Sequence, residues 1–209
     1  KEAGVEAHKE NFNMPRAWSE LGNNVKVFND RISYSPNVVT MPFTSKTQNN
    51  GLTAQLIDLK KGDKKAFLES KDIKGKWLLM ETVILSDESG VHGLFQEYLD
   101  AVDIEDTAYK QGAAGIIYMS SRPNNLLYRH LPSSGIEVKL PIVVMEREGA
   151  QRTQRLLNSG KSLKLTAKIN TFGEKSYQAN NVVAQITGDK FPDEIVLIGA
   201  HIDSFDLGT

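Results

Sequence analysis

The sequence predicts a mixed α/β fold, and three observations carry that prediction. Residues 77–81, 115–119 and 140–145 are short runs dominated by Leu, Ile, Val and Met, the composition of strands covered on both faces. Residues 103–112 and 147–158 carry apolar side chains at helical spacing between and after those runs. Residues 51–59 and 162–169 alternate apolar with polar, as half-exposed strands do. Strands interleaved with short helices predict a mixed sheet with helices packed on it.

The elements follow in order. Residues 1–40 are polar with scattered aromatics such as Phe12, Trp18 and Phe28, and contain no helical apolar stripe. Within them, residues 24–28 alternate like a half-buried strand. Residues 44–51 read as a polar loop. Leu52, Ala54, Leu56 and Asp58 then fall on one face of a strand. Residues 72–76 form a turn that delivers the first buried run at Trp77. In residues 103–112 Asp103 is placed to cap a helix, Ala108 falls four residues after Ile104, and Gly112 suits the stop. The second helix, 147–158, aligns Ala150, Thr153 and Leu157, with Gly160 as its stop. Residues 162–169 read as an edge or half-exposed strand. Residues 173–180 turn polar and read as a linker. Beyond them, residues 181–186 are strand-like. Residues 195–200 are apolar throughout, as expected of a central strand covered on both faces. Such a strand needs neighbours on both sides, so the sequence reads as cut within a second domain.

Composition narrows the function. The 209 residues carry a net charge of −1, which supplies no basic surface for a nucleic-acid backbone. No run approaches the ~20 apolar residues of a membrane span. There are no cysteines, so disulfides, thiolate zinc sites and cysteine nucleophiles are excluded within these residues, while the compartment is left open.

The chemistry concentrates in Ile198-Gly199-Ala200-His201-Ile202-Asp203. Ligands sit at the carboxyl ends of strands in open α/β sheets, and His201 follows such a run. In extended backbone His201 and Asp203 point the same way, so the carboxylate reaches the spare N–H of the imidazole. That contact fixes the tautomer and raises the basicity of the nitrogen that faces a metal. A histidine after a strand is more commonly a hydrogen-bonded structural residue, and the pattern is short. Its setting behind the apolar run is what favours the metal reading.

Residues Asn180-Asn181-Val182-Val183-Ala184-Gln185-Ile186, together with 192–204, resemble the opening of the catalytic domain of M28-family metallopeptidases. Gln111-Gly112-Ala113-Ala114-Gly115-Ile116-Ile117 and Leu140-Pro141-Ile142-Val143-Val144 resemble the protease-associated (PA) domain that precedes that catalytic domain. The resemblance is specific over 180–209, moderate over 111–145 and weak before residue 40. It implies an α/β fold made of a PA-type β/β/α domain with flanking strands of a doubly wound peptidase domain. The implied divisions are a linking segment at 1–45, the PA domain at 46–175 and the first peptidase strands at 176–209.

The resemblance further implies a co-catalytic dizinc exopeptidase, with His201 as a metal ligand and Asp203 as the catalytic carboxylate that orients it. The general-base glutamate and the remaining ligands follow later in that family. The implied partners are a peptide substrate and the rest of the peptidase domain, with a homodimer left open. The implied location is secreted or periplasmic. Residues 1–209 alone are then expected to bind zinc weakly and to hydrolyse nothing, since a catalytic zinc needs about three protein ligands and an open position. Arg122, Tyr128 and Arg129 lie in a polar stretch between two strands. An arginine there is able to grip a substrate carboxylate, although solvated surface arginines are the commoner case. Asp206 reads as a turn or cap residue. His92 reads as part of a charged loop with Asp87, Glu88 and Glu97. The rival class is a free-standing PA-type module that binds peptides or proteins without catalysis. Residues 180–209 argue against it, because such a module has no use for a strand carrying His201 and Asp203.

Overall fold

The computed structural model describes residues 5–70, 72–81, 91–127, 129, 138–174 and 176–203. Among them the chain divides into two units, one from residues up to 18 and from 173 onward, the other from residues 19–172.

The larger unit is a mixed sheet with helices on both faces. In chain order its strands are β2 (Ala17–Phe28), β3 (Ser33–Tyr34), β4 (Val38–Thr40), β5 (Leu52–Asp58), β6 (Trp77–Met80), β7 (Gly115–Met119), β8 (Ile142–Met145) and β9 (Leu163–Glu174). They lie in the order β3-β2-β9-β5-β6-β7-β8-β4. The centre, β5 through β8, is parallel, and β9 and β4 join it antiparallel. The helices are α1 (Lys64–Glu69), α2 (Val91–Lys110) and α3 (Arg147–Asn158).

The period-two geometry of strands explains the layering. Trp77 and Leu79 of β6 point to one face, where they join Ile117, Val143 and Ala150 of α3. Leu78 and Met80 point to the other, where they meet Ile116, Phe67 of α1 and Ala108 of α2. All residues of β6, β7 and β8 are buried, which is why these strands read as uninterrupted apolar runs rather than as alternation. Each fully buried side chain of this size contributes about 1.5–3 kcal/mol. Gly112 and Gly160, at φ 74 and φ 80, end α2 and α3 in the left-handed conformation that glycine adopts without strain. Asp63 caps α1 by accepting from the Ala66 N–H at 2.8 Å.

The predicted strands at 24–28, 51–59, 77–81, 115–119 and 140–145 and the helix at 147–158 are present. Other expectations are corrected. The first long helix begins at Val91, not at 103, so Asp103 lies inside it and caps nothing, and the backbone of His92 is helical rather than looped. Of the two expectations for 162–169, the half-exposed strand is present and the edge position is not: β9 sits between β2 and β5, and its alternation reflects one buried and one exposed face. Strands β1 (Glu6–Met14) and β4 and helix α1 have no counterpart among the expected elements.

The smaller unit is a two-stranded antiparallel ribbon of β1 and β10 (Tyr177–Gln185), in register from Glu6 opposite Gln185 to Met14 opposite Tyr177. Residues 173–174 and 177–180 therefore carry strand where the polar composition suggested a linker. Residues 195–200 are not a strand and are not covered. Ile195 is 87% and Ile198 90% exposed, and no described strand pairs with them. A hydrophobic run becomes a strand only where a ladder partner accepts its backbone groups. Among the described residues β10 gives its ladder to β1 alone.

Candidate functional site

His201 and Asp203 meet as the spacing predicts. His201 Nδ1 lies 2.8 Å from Asp203 Oδ1, with the two side chains 91% and 79% exposed. The hydrogen bond from the imidazole is the main cause holding the Asp203 carboxyl below its ordinary pKa, helped by its own backbone N–H and by charge on His201. With Nδ1 engaged by the carboxylate, Nε2 is the ring nitrogen left to coordinate a metal. These two residues fit one corner of a metal site. Among the described residues no group of three or more histidines and carboxylates stands close enough to complete one. His8 sits beside Glu10 on the exposed ribbon, 3.7 Å away. Asp87, Glu88, His130 and Asp206 lie outside the described residues, as does Tyr128.

The stretch after β7 lies in the larger unit. Arg122 is exposed. Arg129 is turned inward, its side chain 9% exposed, and pairs through Nη2 with Glu20 Oε2. Burial pulls the guanidinium pKa down and the Glu20 charge opposes that pull. Glu20 also accepts from the Thr40 N–H at 3.1 Å and the Thr40 hydroxyl at 2.7 Å, and Asn23 Nδ2 donates to its other oxygen. Arg129 is thus tied to β2 and β4 through one carboxylate.

Three further residues shape this stretch and went unnoticed in the sequence: Glu20, Arg147 and Glu148. Arg147 and Glu148 occupy the first turn of α3. Arg147 donates to the Ser120 and Ser121 carbonyls, and Glu148 accepts from the Asn124 and Asn125 N–H groups. An ion-pairing partner 109 residues away, as Glu20 is from Arg129, leaves no local signal. The Arg-Glu pair at the start of a helix that follows a buried strand was the one available hint.

The comparisons with known proteins agree with this architecture. No protein-family model matches the chain. Carboxypeptidase Q of Xenopus laevis is 26% identical over 142 residues, which is 66% of this chain and 29% of that protein. Carboxypeptidase Q of Bos taurus is 36% identical over 73 residues, 34% of this chain and 15% of that protein. The matched part thus spans less than a third of these curated relatives. Among solved structures, a peptidase M28 precursor from Shewanella amazonensis covers 98% of this chain and 47% of its own, at a TM-score of 0.76 and 20% identity. A zinc aminopeptidase from Bacillus subtilis covers 90% of this chain and 39% of its own, at a TM-score of 0.60 and 17% identity. The fold is that of these peptidase structures, and the curated proteins the sequence is similar to are carboxypeptidase Q.

Proposed function

We propose that the chain is the PA lid domain and the opening of the catalytic domain of a zinc-dependent exopeptidase acting on dipeptides or peptide ends. The observation that carries the reading is the 2.8 Å contact between His201 and Asp203, directly after an apolar run that no described element covers. An exposed run of this kind is what an interface with further structure requires, and the remainder of the peptidase domain is its partner in this reading. The PA domain of this reading, residues 46–175, supplies the lid.

In this reading His201 Nε2 is one ligand of a two-zinc site, and the rest of the peptidase domain supplies the other ligands and the general base. Zinc supplies Lewis-acid polarisation of the peptide carbonyl and an acidified water. Asp203 holds the Nδ1 proton, so that the ring presents the correct nitrogen in the correct plane. Arg122 with Tyr128 grips the terminal carboxylate of the substrate. Arg129, committed to Glu20, fixes the base of the same stretch rather than reaching outward. Residues 1–209 alone bind zinc weakly and turn over no substrate, because a single histidine and its carboxylate fall short of a catalytic ligand set. The protein is secreted or periplasmic in this reading, with pairing of its subunits left open.

The test compares residues 1–209 with the intact peptidase for zinc content and for dipeptide hydrolysis. The expected result is weak zinc binding and no turnover for the piece, and about two zinc ions per chain with turnover for the whole. An intact protein that holds no zinc and cleaves no dipeptide, yet binds peptides, overturns the reading in favour of a non-catalytic PA-type module.

A further inference from the structure

We propose that the groove between β2, β9 and residues 46–49 is a binding site for an acidic saccharide, a sugar chain that carries carboxylates. The inference does not rest on the exopeptidase reading.

The groove lies within the larger unit and has a volume of about 780 Å³. That falls in the range of roughly 300–1,000 Å³ common to small-ligand sites. A short pairing builds it. The Thr47 N–H donates to the Ile169 carbonyl at 3.1 Å, and the Thr47 hydroxyl accepts from the Ile169 N–H at 2.9 Å. Ile169 is buried, so strand alternation turns Lys168 and Asn170 outward, and both are exposed. Lys46 and Gln48, on either side of Thr47, are exposed as well. On β2, Asn24 is exposed beside buried Val25. Gly51 fixes the approach of the loop to β9. Its N–H donates to the Gln48 carbonyl at 2.7 Å, and a Cβ there would meet the Ala167 carbonyl and Lys168 Cγ at 2.9 Å. Glycine at φ 82 therefore lets the loop close against the stem of Lys168.

The charge of the groove has one sign. Lys46 and Lys168 line it, and no carboxylate does. Neither lysine has an ion-pair partner among the described residues. Lys26 of β2 and Lys164 of β9 are exposed on the same outward face of the sheet. Their neighbours on β5 do not offset them, since Gln55 lies opposite Lys164 and Thr53 opposite Thr166. A chain of net charge −1 thus gathers Lys26, Lys46, Lys164 and Lys168 on one face without a compensating acid among the outward residues of 24–28, 53–57 and 163–170. Such a field draws in an anion that carries more than one charge.

The uncharged lining decides which anion. Asn24, Gln48, Asn49 and Asn170 contribute side-chain amides that no described residue engages. Each amide both donates and accepts, which is the pairing a hydroxyl requires. The one aliphatic side chain of the lining belongs to buried Ile169, and the lining holds no aromatic ring. A nucleic-acid base finds nothing to stack on, and an acyl chain finds nothing to enter. β9 is hydrogen-bonded to β2 on one side and β5 on the other, so an extended peptide finds no open strand edge. A ligand rich in both hydroxyls and carboxylates satisfies the amides and the lysines together.

The test is fluorescence anisotropy of a labelled oligogalacturonate titrated with the intact protein at low salt. Lys46→Gln and Lys168→Gln are each expected to weaken binding about tenfold, as loss of a charge-assisted contact predicts. Asn170→Ala is expected to weaken it about threefold, as loss of a neutral hydrogen bond predicts. Lys65→Gln, which removes an exposed lysine of α1, is expected to change nothing. All four variants keep the wild-type Tm, because their side chains are exposed. An oligoglutamate peptide and a neutral galactose oligomer of equal length are expected to bind more weakly than the oligogalacturonate. Failure of the wild-type protein to bind oligogalacturonate overturns the site, as does equal weakening by Lys65→Gln and Lys168→Gln. Equally tight binding of oligoglutamate, or an unaffected Asn170→Ala variant, overturns the saccharide and leaves recognition of acidic charge alone.

Discussion

Glu105 ties the stability of the larger unit to pH. It lies on α2, is 9% exposed, and its Oε1 is buried without a hydrogen-bond partner among the described residues. Burial pushes its carboxyl from 4.5 up to about 7. The folded state therefore holds the proton more tightly than the unfolded chain. Below about pH 4.5 both states are protonated and the full stability is present. As pH rises, the unfolded chain ionises first, and stability is lost until the folded carboxyl ionises near pH 7. The gap from 4.5 to about 7, at ~1.36 kcal/mol per pH unit, amounts to about 3 kcal/mol. Glu105→Gln keeps the shape of the neutral acid and cannot ionise. Urea denaturation at pH 4, 6 and 8 is the assay. At pH 4 the variant and the wild type are expected to unfold at the same midpoint. At pH 8 the variant is expected to be more stable by about 3 kcal/mol, or some 6–10 °C in Tm for a unit of this size. Parallel wild-type and variant profiles across that range would refute the reasoning, because they would mean that Glu105 titrates alike in both states.

Three further predictions rest on single contacts. A Cβ at Gly115 would sit 2.2 Å from Trp77 Cζ3 and 2.6 Å from the Pro141 carbonyl, so Gly115→Ala is expected to lower stability by about 2–3 kcal/mol in urea denaturation. Glu20→Gln strips the carboxylate charge from the inward-facing Arg129, and is expected to cost about 3 kcal/mol by the same measurement, more than the loss of an exposed ion pair such as Lys65 with Glu69. Asp203→Ala, made in the intact peptidase, is expected to weaken zinc affinity about 10- to 100-fold in a chelator competition while leaving the folding of residues 19–172 unchanged.

The sheet was legible where sequence and burial speak the same language. Strands β6, β7 and β8 are buried on both faces, and their apolar runs have no other use. α3 was legible because Ala150, Thr153 and Leu157 fall on one side, the first two buried and Leu157 packed against the core, with charged and polar residues opposite. The first half of α2 was missed because the charged and small residues ahead of it suggested a loop. Once the helix is extended back to Val91, Ala101, Glu105 and Ala108 share its inward face. An acid on that face is a poor guess from sequence, which is why Glu105 drew no notice. β1 and β10 are exposed along nearly their whole length. The Val-rich half of β10 from residue 181 was nonetheless legible as strand, whereas β1 is mostly polar and is held by backbone pairing, which leaves no trace in side-chain pattern.

The site divides along the same line between local and distant causes. The contact of His201 with Asp203 spans two residues, so spacing alone predicted it and it forms without any other element. Residues 195–200 carry an equally plain signal of burial, yet no described strand pairs with them, because side-chain pattern states where a segment is stable and a ladder partner decides whether it gets there. The stretch after β7 is the converse case. Its sequence looks like solvated loop, while Glu20 from β2 and the Arg147–Glu148 turn of α3 fix it with charge-assisted hydrogen bonds from 20 or more residues away. Polar composition therefore marked the wrong segment as loose. Among the described residues the apolar run ahead of His201 has no ladder partner, whereas the backbone of the polar loop at 120–127 is held at both ends by the first turn of α3.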